Sequence, residues 1–352
     1  MDVHELLKLA KNKKASDLHI KVGSPPVVRV NGALIHLTEK PLTPEDTELC
    51  AHQLLSEERF NHLEEEGELD FAYSLSHVGR FRVNVYKQRS TYCIAFRMVN
   101  FDIPTLRDLN IPSVVGTLTD LNSGLILVTG PTGSGKSTTL AAMIQMINEK
   151  RSAHIITLED PIEYLYKNQK SIIGQREIGV DTKSFSKGLR AALRQDPDII
   201  LVGEMRDLET VEIALLAAET GHLVLSTLHT LGAAKTIDRI VDQFTSDTKE
   251  QIKTQLSSVL QAIVSQQLLQ NKSGFGIIPA CEVMIVNNGI RNLIRDSKSH
   301  QIQNAIIMGM SQGMITMDNA LKNLYHKGHI TRESAINHSL DRDEFLKTVD
   351  NM

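Results

Sequence analysis

Hydrophobic and polar residues alternate in two different ways, one before and one after about residue 116. In the first part, every second residue of segment 80–85 is apolar, which predicts a strand with one buried face. A polar loop at 87–90 and a second apolar stretch at 92–99 then predict a hairpin. The first part of the chain therefore contains antiparallel strands.

A helix start precedes these strands. Thr43 offers a hydroxyl for the N-cap, Pro44 suits the first helical position, and two acidic residues follow. We expect this helix to continue to about Phe60 and on toward Glu66, with strands beginning at Phe71. Together these elements predict a small α+β domain.

That domain is expected to span residues 1–100. The proline-containing segment 101–115 is expected to link it to a second domain, 116–352, in which apolar strands alternate with helices. Nearly continuous runs of Val, Ile and Leu are typical of a parallel α/β sheet buried on both faces. The predicted strands are 125–129, 154–158, 199–202 and 222–227. From about residue 248 the chain is expected to be mostly helical, because apolar residues follow a helical stripe. The stripe consists of Ile252, Leu256, Val259, Ile263 and Leu268.

Composition argues against several classes of protein, including nucleic-acid-binding, membrane-spanning and zinc-ribbon proteins. Of 352 residues, 41% are hydrophobic and the net charge is −4, which suits a soluble protein without a general attraction to nucleic acid. No apolar run is long enough to span a bilayer, and the first residues do not resemble a signal peptide. Three widely separated cysteines make a zinc ribbon improbable and suit a reducing compartment. A cytoplasmic protein without direct nucleic-acid contacts is expected.

Segment 130–138 carries the strongest chemical signal. It fits the phosphate-loop pattern G-x-x-x-x-G-K-[ST] and lies between an apolar strand and a predicted helix. Its lysine would add a charge for the β- and γ-phosphates, and its serine hydroxyl would ligate Mg²⁺. The sequence therefore predicts binding of a nucleoside triphosphate. The expected binding residues are Gly130, Pro131, Thr132, Gly133, Ser134, Gly135, Lys136, Ser137 and Thr138.

Acidic residues and a histidine follow the other predicted strands, at the edge where open α/β sheets bind ligands. They are Glu159, Glu163, Glu204 and His229. Glu204 stands where a Walker-B acid is expected, so we predict that it activates the attacking water and helps to hold Mg²⁺, directly or through water. Glu163, and then Glu159, are candidates to orient water, and His229 to contact the γ-phosphate.

Two further groups leave their roles open. His222 and His229 stand at opposite ends of one strand, roughly 20 Å apart at ~3.3 Å per residue, so they cannot share a metal ion. His222 is expected to pack or to contact another subunit. Arg82 and Arg97 lie on neighbouring strands of the first domain. They fit either a solvated sheet face or arginines that complete the nucleotide site of a neighbouring subunit.

Four segments resemble, in order, the Walker A, Asp, Walker B and His boxes of the secretion ATPases of type II secretion and type IV pili. They are 130–138, 156–164, 196–207 and 221–230. Segments 15–19 and 289–296 are also similar to that family, so the resemblance covers nearly the whole chain.

The resemblance implies a PAS-like N-terminal domain, a RecA-like P-loop ATPase domain with a helical C-terminal part, and a homohexamer with ATP and Mg²⁺ between subunits. It also implies that Arg82 and Arg97 reach a neighbouring subunit's nucleotide. The implied work is type IV pilus retraction and twitching motility. It would be done on the inner-membrane platform protein, at the cytoplasmic face of the inner membrane. Membrane association would be peripheral, and an accessory retraction ATPase is a further implied partner.

Two features favour retraction over extension within that family. Extension and secretion ATPases usually carry an additional N-terminal domain and a four-cysteine zinc element, and this sequence shows neither. Segment 289–296 resembles the AIRNLIRE-type motif of the retraction members, with Gly289 for alanine and Asp296 for glutamate. An ordinary amphipathic helix is the other interpretation of that segment. The functional alternatives are an accessory retraction ATPase, a RecA-like nucleic-acid translocase, and a nucleotide-gated scaffold without turnover.

Overall fold

The computed structural model describes residues 2–30, 32–76, 78–99, 102–274, 276–340 and 342–349. The chain forms two compact units, Met1–Phe101 and Asp102–Met352. Within the described residues, no helix is both long enough and apolar enough to cross a bilayer.

The described residues of the N-terminal unit form a six-stranded antiparallel sheet and three helices. The helices are α1 (Val3–Asn12), α2 (Pro44–Leu54) and α3 (Glu57–Glu66). The strands are β1 (Asp17–Ile20), β2 (Val27–Val30), β3 (Ala33–His36), β4 (Glu68–Leu75), β5 (Gly79–Gln88) and β6 (Thr91–Met98). Their spatial order is β3-β2-β1-β6-β5-β4. Phe81 and Phe96 are buried at its centre, which agrees with the predicted α+β class.

The expected single helix from Pro44 toward Glu66 is wrong. The capping box forms as predicted, since Thr43 and Asp46 exchange side-chain and backbone hydrogen bonds. However, α2 ends at Leu54 and α3 begins after Ser56, whose hydroxyl accepts from the backbone N–H of Arg59. A serine followed by two acids is itself a helix start, so the run contains two helices.

The predicted hairpin is confirmed as β5 and β6, with a turn shorter than expected. Arg89 and Ser90 have φ values of 52° and 60°, as a two-residue type I′ turn requires. The pairing places Arg82 directly opposite Arg97. These two arginines, predicted to lie on neighbouring strands, are therefore direct cross-strand neighbours.

The C-terminal unit contains seven strands and eleven α-helices among its described residues. The strands are β7 (Gly124–Thr129), β8 (His154–Glu159), β9 (Ile172–Glu177), β10 (Ile199–Val202), β11 (Leu223–Leu228), β12 (Leu260–Gln270) and β13 (Ile277–Ile285). The helices are α4 (Val114–Thr117), α5 (Lys136–Lys150), α6 (Phe185–Ala192), α7 (Leu208–Glu219), α8 (Ala233–Val241), α9 (Ser246–Val259), α10 (Asn288–Arg295), α11 (Ile302–Met308), α12 (Met317–His326), α13 (Arg332–His338) and α14 (Arg342–Val349).

One sheet organises this unit, in the order β13-β12-β7-β11-β10-β8-β9. All pairings are parallel except β12 with β13. Every residue of β7, β10 and β11 is buried, and separate apolar cores cover the two faces. The four predicted strands are confirmed, with bounds shifted by at most one residue.

Two segments of this unit differ in detail from the expectation. Within segment 101–115, which is expected to link the two domains, Leu106, Ile111 and Val115 are buried in the same core as α5. The described residues from about 248 are mostly helical, but the predicted helical stripe does not extend to Ile263 and Leu268, because α9 stops at Val259 and the chain continues as β12. There the edges of β7 and β13 supply hydrogen-bond partners, and almost every residue of β12 is buried rather than one stripe.

Candidate active site

The phosphate loop, residues 130–137, leads from the carboxyl end of β7 into α5. Gly130, Gly133 and Gly135 have φ values of 143°, 78° and 84°, a range that side chains rarely allow. Gly135 is the N-cap of α5, and no side chain caps this helix end. The first N–H groups of a helix have no carbonyl partner within it, so this end of α5 is available to an anion.

Lys136 is held over the loop. Its Nζ donates to the carbonyl oxygens of Gly130 (3.0 Å) and Pro131 (2.9 Å), and the side chain is buried. Burial lowers the pKa of Lys136, whereas the carboxylates of Glu204 and Glu163 act to raise it. The charges of the two predicted catalytic acids therefore act on the predicted phosphate-binding lysine.

The hydroxyl side chains of the phosphate loop and of the first turn of α5 differ in their exposure and in their contacts. The Ser137 side chain is exposed at the start of α5. The Ser134 hydroxyl is buried without a hydrogen-bond partner in the described part of the chain. Thr138 Oγ1 lies 3.1 Å from the Tyr164 hydroxyl, and Thr132 Oγ1 lies 3.5 Å from His229 Nδ1. The loop is thus tied to the segments that follow β8 and β11.

Glu204 follows β10, where backbone hydrogen bonds from Gly203 to Leu158 and from Met205 to Thr227 extend the sheet. Its side chain is 11% exposed and contacts two cationic or basic groups. Arg206 Nε lies 2.5 Å from Oε1, and His229 Nε2 lies 3.4 Å from Oε2. The structure therefore brings Glu204 and His229 together, as their strand-end positions suggested.

Glu159 and Glu163 have different environments. Glu159 Oε1 accepts from the Thr157 hydroxyl (2.6 Å) and from the Gln175 amide (3.1 Å). Burial raises the pKa of Glu159, while these hydrogen bonds and one from the backbone N–H of Glu163 oppose that effect. Glu163 itself is exposed. Of the two acids, Glu163 is the better placed to contact a ligand.

His222 precedes β11 and His229 follows it, so the two histidines lie at opposite ends of this strand, as predicted. His222 Nδ1 lies 2.9 Å from the Ala217 carbonyl oxygen and 3.3 Å from Thr220 Oγ1, both at the end of α7. Local contacts thus account for its orientation, and a subunit contact stays a prediction.

Arg82 and Arg97 belong to the N-terminal unit. Arg97 is 70% exposed and its Nε lies 3.0 Å from Asp17 Oδ1 on β1. Arg82 occupies the facing position on the partner strand of the hairpin. The action of the two arginines on a neighbouring subunit's nucleotide stays a prediction.

Gln266 on β12 carries no motif, yet it contacts the phosphate loop. Its Oε1 accepts from Thr139 Oγ1 on α5 at 2.9 Å. Its backbone oxygen lies against Gly130, so close that a Cβ on that glycine would be 2.1 Å away. Three adjacent polar residues, 265–267, interrupt an apolar stretch and could have indicated a functional contact. The prediction of a helix at this segment left them without a role.

A parallel sheet with a phosphate loop after one central strand and an acidic residue after another defines a RecA-like P-loop ATPase. The chain belongs to the type II/IV secretion system protein family, whose sequence profile matches residues 2–345.

Individual relatives agree with that assignment. The chain is 47% identical to the type IV pilus retractation ATPase PilT of Pseudomonas aeruginosa over 335 residues, which cover 95% of this chain and 97% of the relative. It is 40% identical to the type IV pilus ATPase PilU of the same organism, over 96% of this chain and 89% of the relative. A crystal structure of the pilus retraction motor PilT with bound ADP matches with a TM-score of 0.90 and 50% identity, over 99% of each chain.

Proposed function

We propose that this chain is an ATP-hydrolysing motor that powers type IV pilus retraction. The observation that carries the hydrolytic part is the position of Glu204, which contacts His229 beside the phosphate loop. The charges of Glu204 and Glu163 also act on Lys136 at the uncapped start of α5. Similarity to PilT over nearly the full length of both chains supports the pilus assignment.

The residues present fit a triphosphate and Mg²⁺. The exposed hydroxyl of Ser137 and the carboxylate of Glu204, directly or through water, are the oxygen ligands that Mg²⁺ prefers. In the described part of the chain, no three His, Cys, Asp or Glu side chains form a complete metal site. This suits an ion that keeps waters and phosphate oxygens as ligands. When bound, Mg²⁺ neutralises charge on the β- and γ-phosphates.

Hydrolysis then follows from the positions of the side chains. Lys136 exchanges its two loop carbonyls for phosphate oxygens, and the N–H groups of the loop and of the first turn of α5 bind the same phosphates. Glu204 accepts the proton of the attacking water, with Glu163 orienting that water. His229 contacts both Glu204 and Thr132, so it connects the catalytic acid with the phosphate loop.

The active assembly that we propose is a homohexamer in which Arg82 and Arg97 of one subunit complete the nucleotide site of the next. Phosphoryl transfer is accelerated strongly by an added arginine, and these two residues are direct cross-strand neighbours of which Arg97 is 70% exposed. The motor acts at the cytoplasmic face of the inner membrane. It associates there peripherally, through the platform protein of the pilus and an accessory retraction ATPase.

Two experiments test this function. Phosphate release by the purified wild-type chain should exceed that of Glu204→Gln, and DNA should not stimulate it. In the source organism, a deletion should give more or longer pili and abolish twitching. The wild-type gene should restore both, whereas Lys136→Ala should not. Fewer pili in the deletion strain would contradict retraction, and DNA-stimulated turnover would favour a translocase.

A further inference from the structure

Gln175, at the centre of β9, makes three hydrogen bonds to residues that surround Glu163. Its side-chain oxygen accepts from the backbone N–H of Tyr166 (3.0 Å). Its amide nitrogen donates to the carbonyl oxygen of Tyr164 (2.8 Å) and to Glu159 Oε1 (3.1 Å). Both N–H donors and one of the two oxygen lone pairs of the Gln175 side chain thus bind residues 159–166, at the end of β8 and directly after it.

The register of the sheet explains why these groups meet. Thr157 of β8 pairs with Gln175 of β9, and Glu159 pairs with Glu177. Alternate residues of a strand lie on the same face, so all four side chains occupy one face of two neighbouring strands. Thr157 and Gln175 accordingly donate to the same oxygen of Glu159.

The segment after β8 is held at further points. Glu177 Oε2 accepts from the backbone N–H of Ile162 (3.2 Å), and the Glu159 carboxylate accepts from the N–H of Glu163. Residues on both sides of Glu163 are therefore fixed by side chains of β8 and β9. Glu163 is exposed, and its charge acts on Lys136.

We propose that Gln175 is a positioning residue for ATP hydrolysis. Through Glu159 and the backbone of Tyr164, it fixes the segment that carries Glu163, which the contact of the Tyr164 hydroxyl with Thr138 places beside the start of α5. Glu159 then serves as an anchor for that segment and does not itself contact the attacking water. The inference rests on the proposed function, because it requires Glu163 to act in hydrolysis.

The substitution Gln175→Glu replaces only the NH2 group of the side-chain amide, with an oxygen. It keeps the oxygen that accepts from Tyr166, removes both donated hydrogen bonds, and places a second carboxylate beside Glu159. Losing hydrogen bonds to the half-buried Glu159 carboxylate and to the Tyr164 carbonyl should lower kcat for phosphate release by about tenfold or more. KM for ATP should stay within about threefold of wild type, because the phosphate loop is unchanged.

Gln169→Glu is the matched control. It makes the same chemical change on an exposed side chain of the same connecting segment, and its kcat should equal that of wild type. A second variant, Gln175→Met, removes all three hydrogen bonds without adding a charge. Gln175→Met should lower kcat as well. If Gln175→Glu does not fold, the kcat of Gln175→Met tests the positioning role instead.

A double-mutant cycle distinguishes positioning from general stability. If Gln175 acts through Glu163, then Gln175→Met combined with Glu163→Gln should have the kcat of Glu163→Gln alone. Losses that multiply would overturn the proposal, as would a Gln175→Met variant as active as the control while Glu163→Gln is impaired. If Glu163→Gln and Glu204→Gln both turn over like wild type, the proposed function itself fails.

Discussion

Gly130 is the position at which one added methyl group should disable the phosphate loop. An alanine Cβ there would lie 2.1 Å from the backbone oxygen of Gln266 and 2.6 Å from Ser134 Oγ, whereas real Cβ contacts stay beyond 3.0 Å. The loop or β12 would have to move. The φ of Gly130, 143°, is also a backbone conformation that alanine rarely adopts.

Two costs therefore add at Gly130. Strain in the backbone is about 1–3 kcal/mol, and forcing a group into a packed region is about 1–3 kcal/mol, which together give about 2–6 kcal/mol. If the loop moves to relieve the clash, this cost appears as weaker nucleotide binding, by about 25-fold or more. A lowered unfolding temperature is expected if β12 moves instead.

Gly133→Ala provides the control within the same loop. Its φ of 78° is also strained for alanine, but no atom lies within 4 Å of the new Cβ. The Kd values of both variants for a non-hydrolysable ATP analogue should be measured, together with their melting temperatures. The clash alone should separate the two by about 1–3 kcal/mol, or roughly 5- to 150-fold in Kd. Equal binding and equal melting temperatures would refute the role of the Gly130–Gln266 contact.

Four further predictions concern the same site, its sharing between subunits and the buried thiols. Lys136→Ala should abolish detectable nucleotide binding or turnover, and unchanged phosphate release would contradict the phosphate-loop assignment. Glu204→Gln should bind ATP but lower kcat by about 100-fold or more, as expected for loss of a general base, and full activity would move that role to Glu163. Mixing Arg82→Ala with Lys136→Ala should change turnover beyond the sum of the separate proteins if sites are shared between subunits. Finally, the three cysteines are buried, and burial raises the pKa of the Cys281 thiol to about 12. A thiol reagent should therefore label the native protein slowly and the denatured protein fully.

Local patterns were sufficient wherever a structure depends on residues close together in sequence. The phosphate loop requires a short apolar strand, glycines and a helix start, and all of them lie within 124–150. The hairpin of β5 and β6 and the capping box of α2 are local in the same sense, and both are confirmed. The break at Ser56 is also a local signal, because a serine followed by two acids starts a helix, and the prediction of one continuous helix missed it.

Long-range pairing decided what the patterns could not. The apolar residues of β12 fit a helical stripe as well as a buried strand, because periodicity does not separate the two in short apolar runs. Pairing with β7, far earlier in the chain, makes the segment a strand and brings Gln266 beneath Gly130. Likewise, only the register of β8 with β9 connects Gln175 to Glu159.

The sequence by itself thus determined that this chain binds a nucleoside triphosphate, and which acids and which histidine follow the strands of its sheet. The tertiary structure decided which groups those side chains contact: Glu204 contacts His229, the charge of Glu163 acts on Lys136, and the half-buried Glu159 accepts from Thr157 and Gln175. The physical reason is distance along the chain. Strand ends have a local signature, whereas hydrogen bonds between strands depend on partners that only the folded sheet brings together.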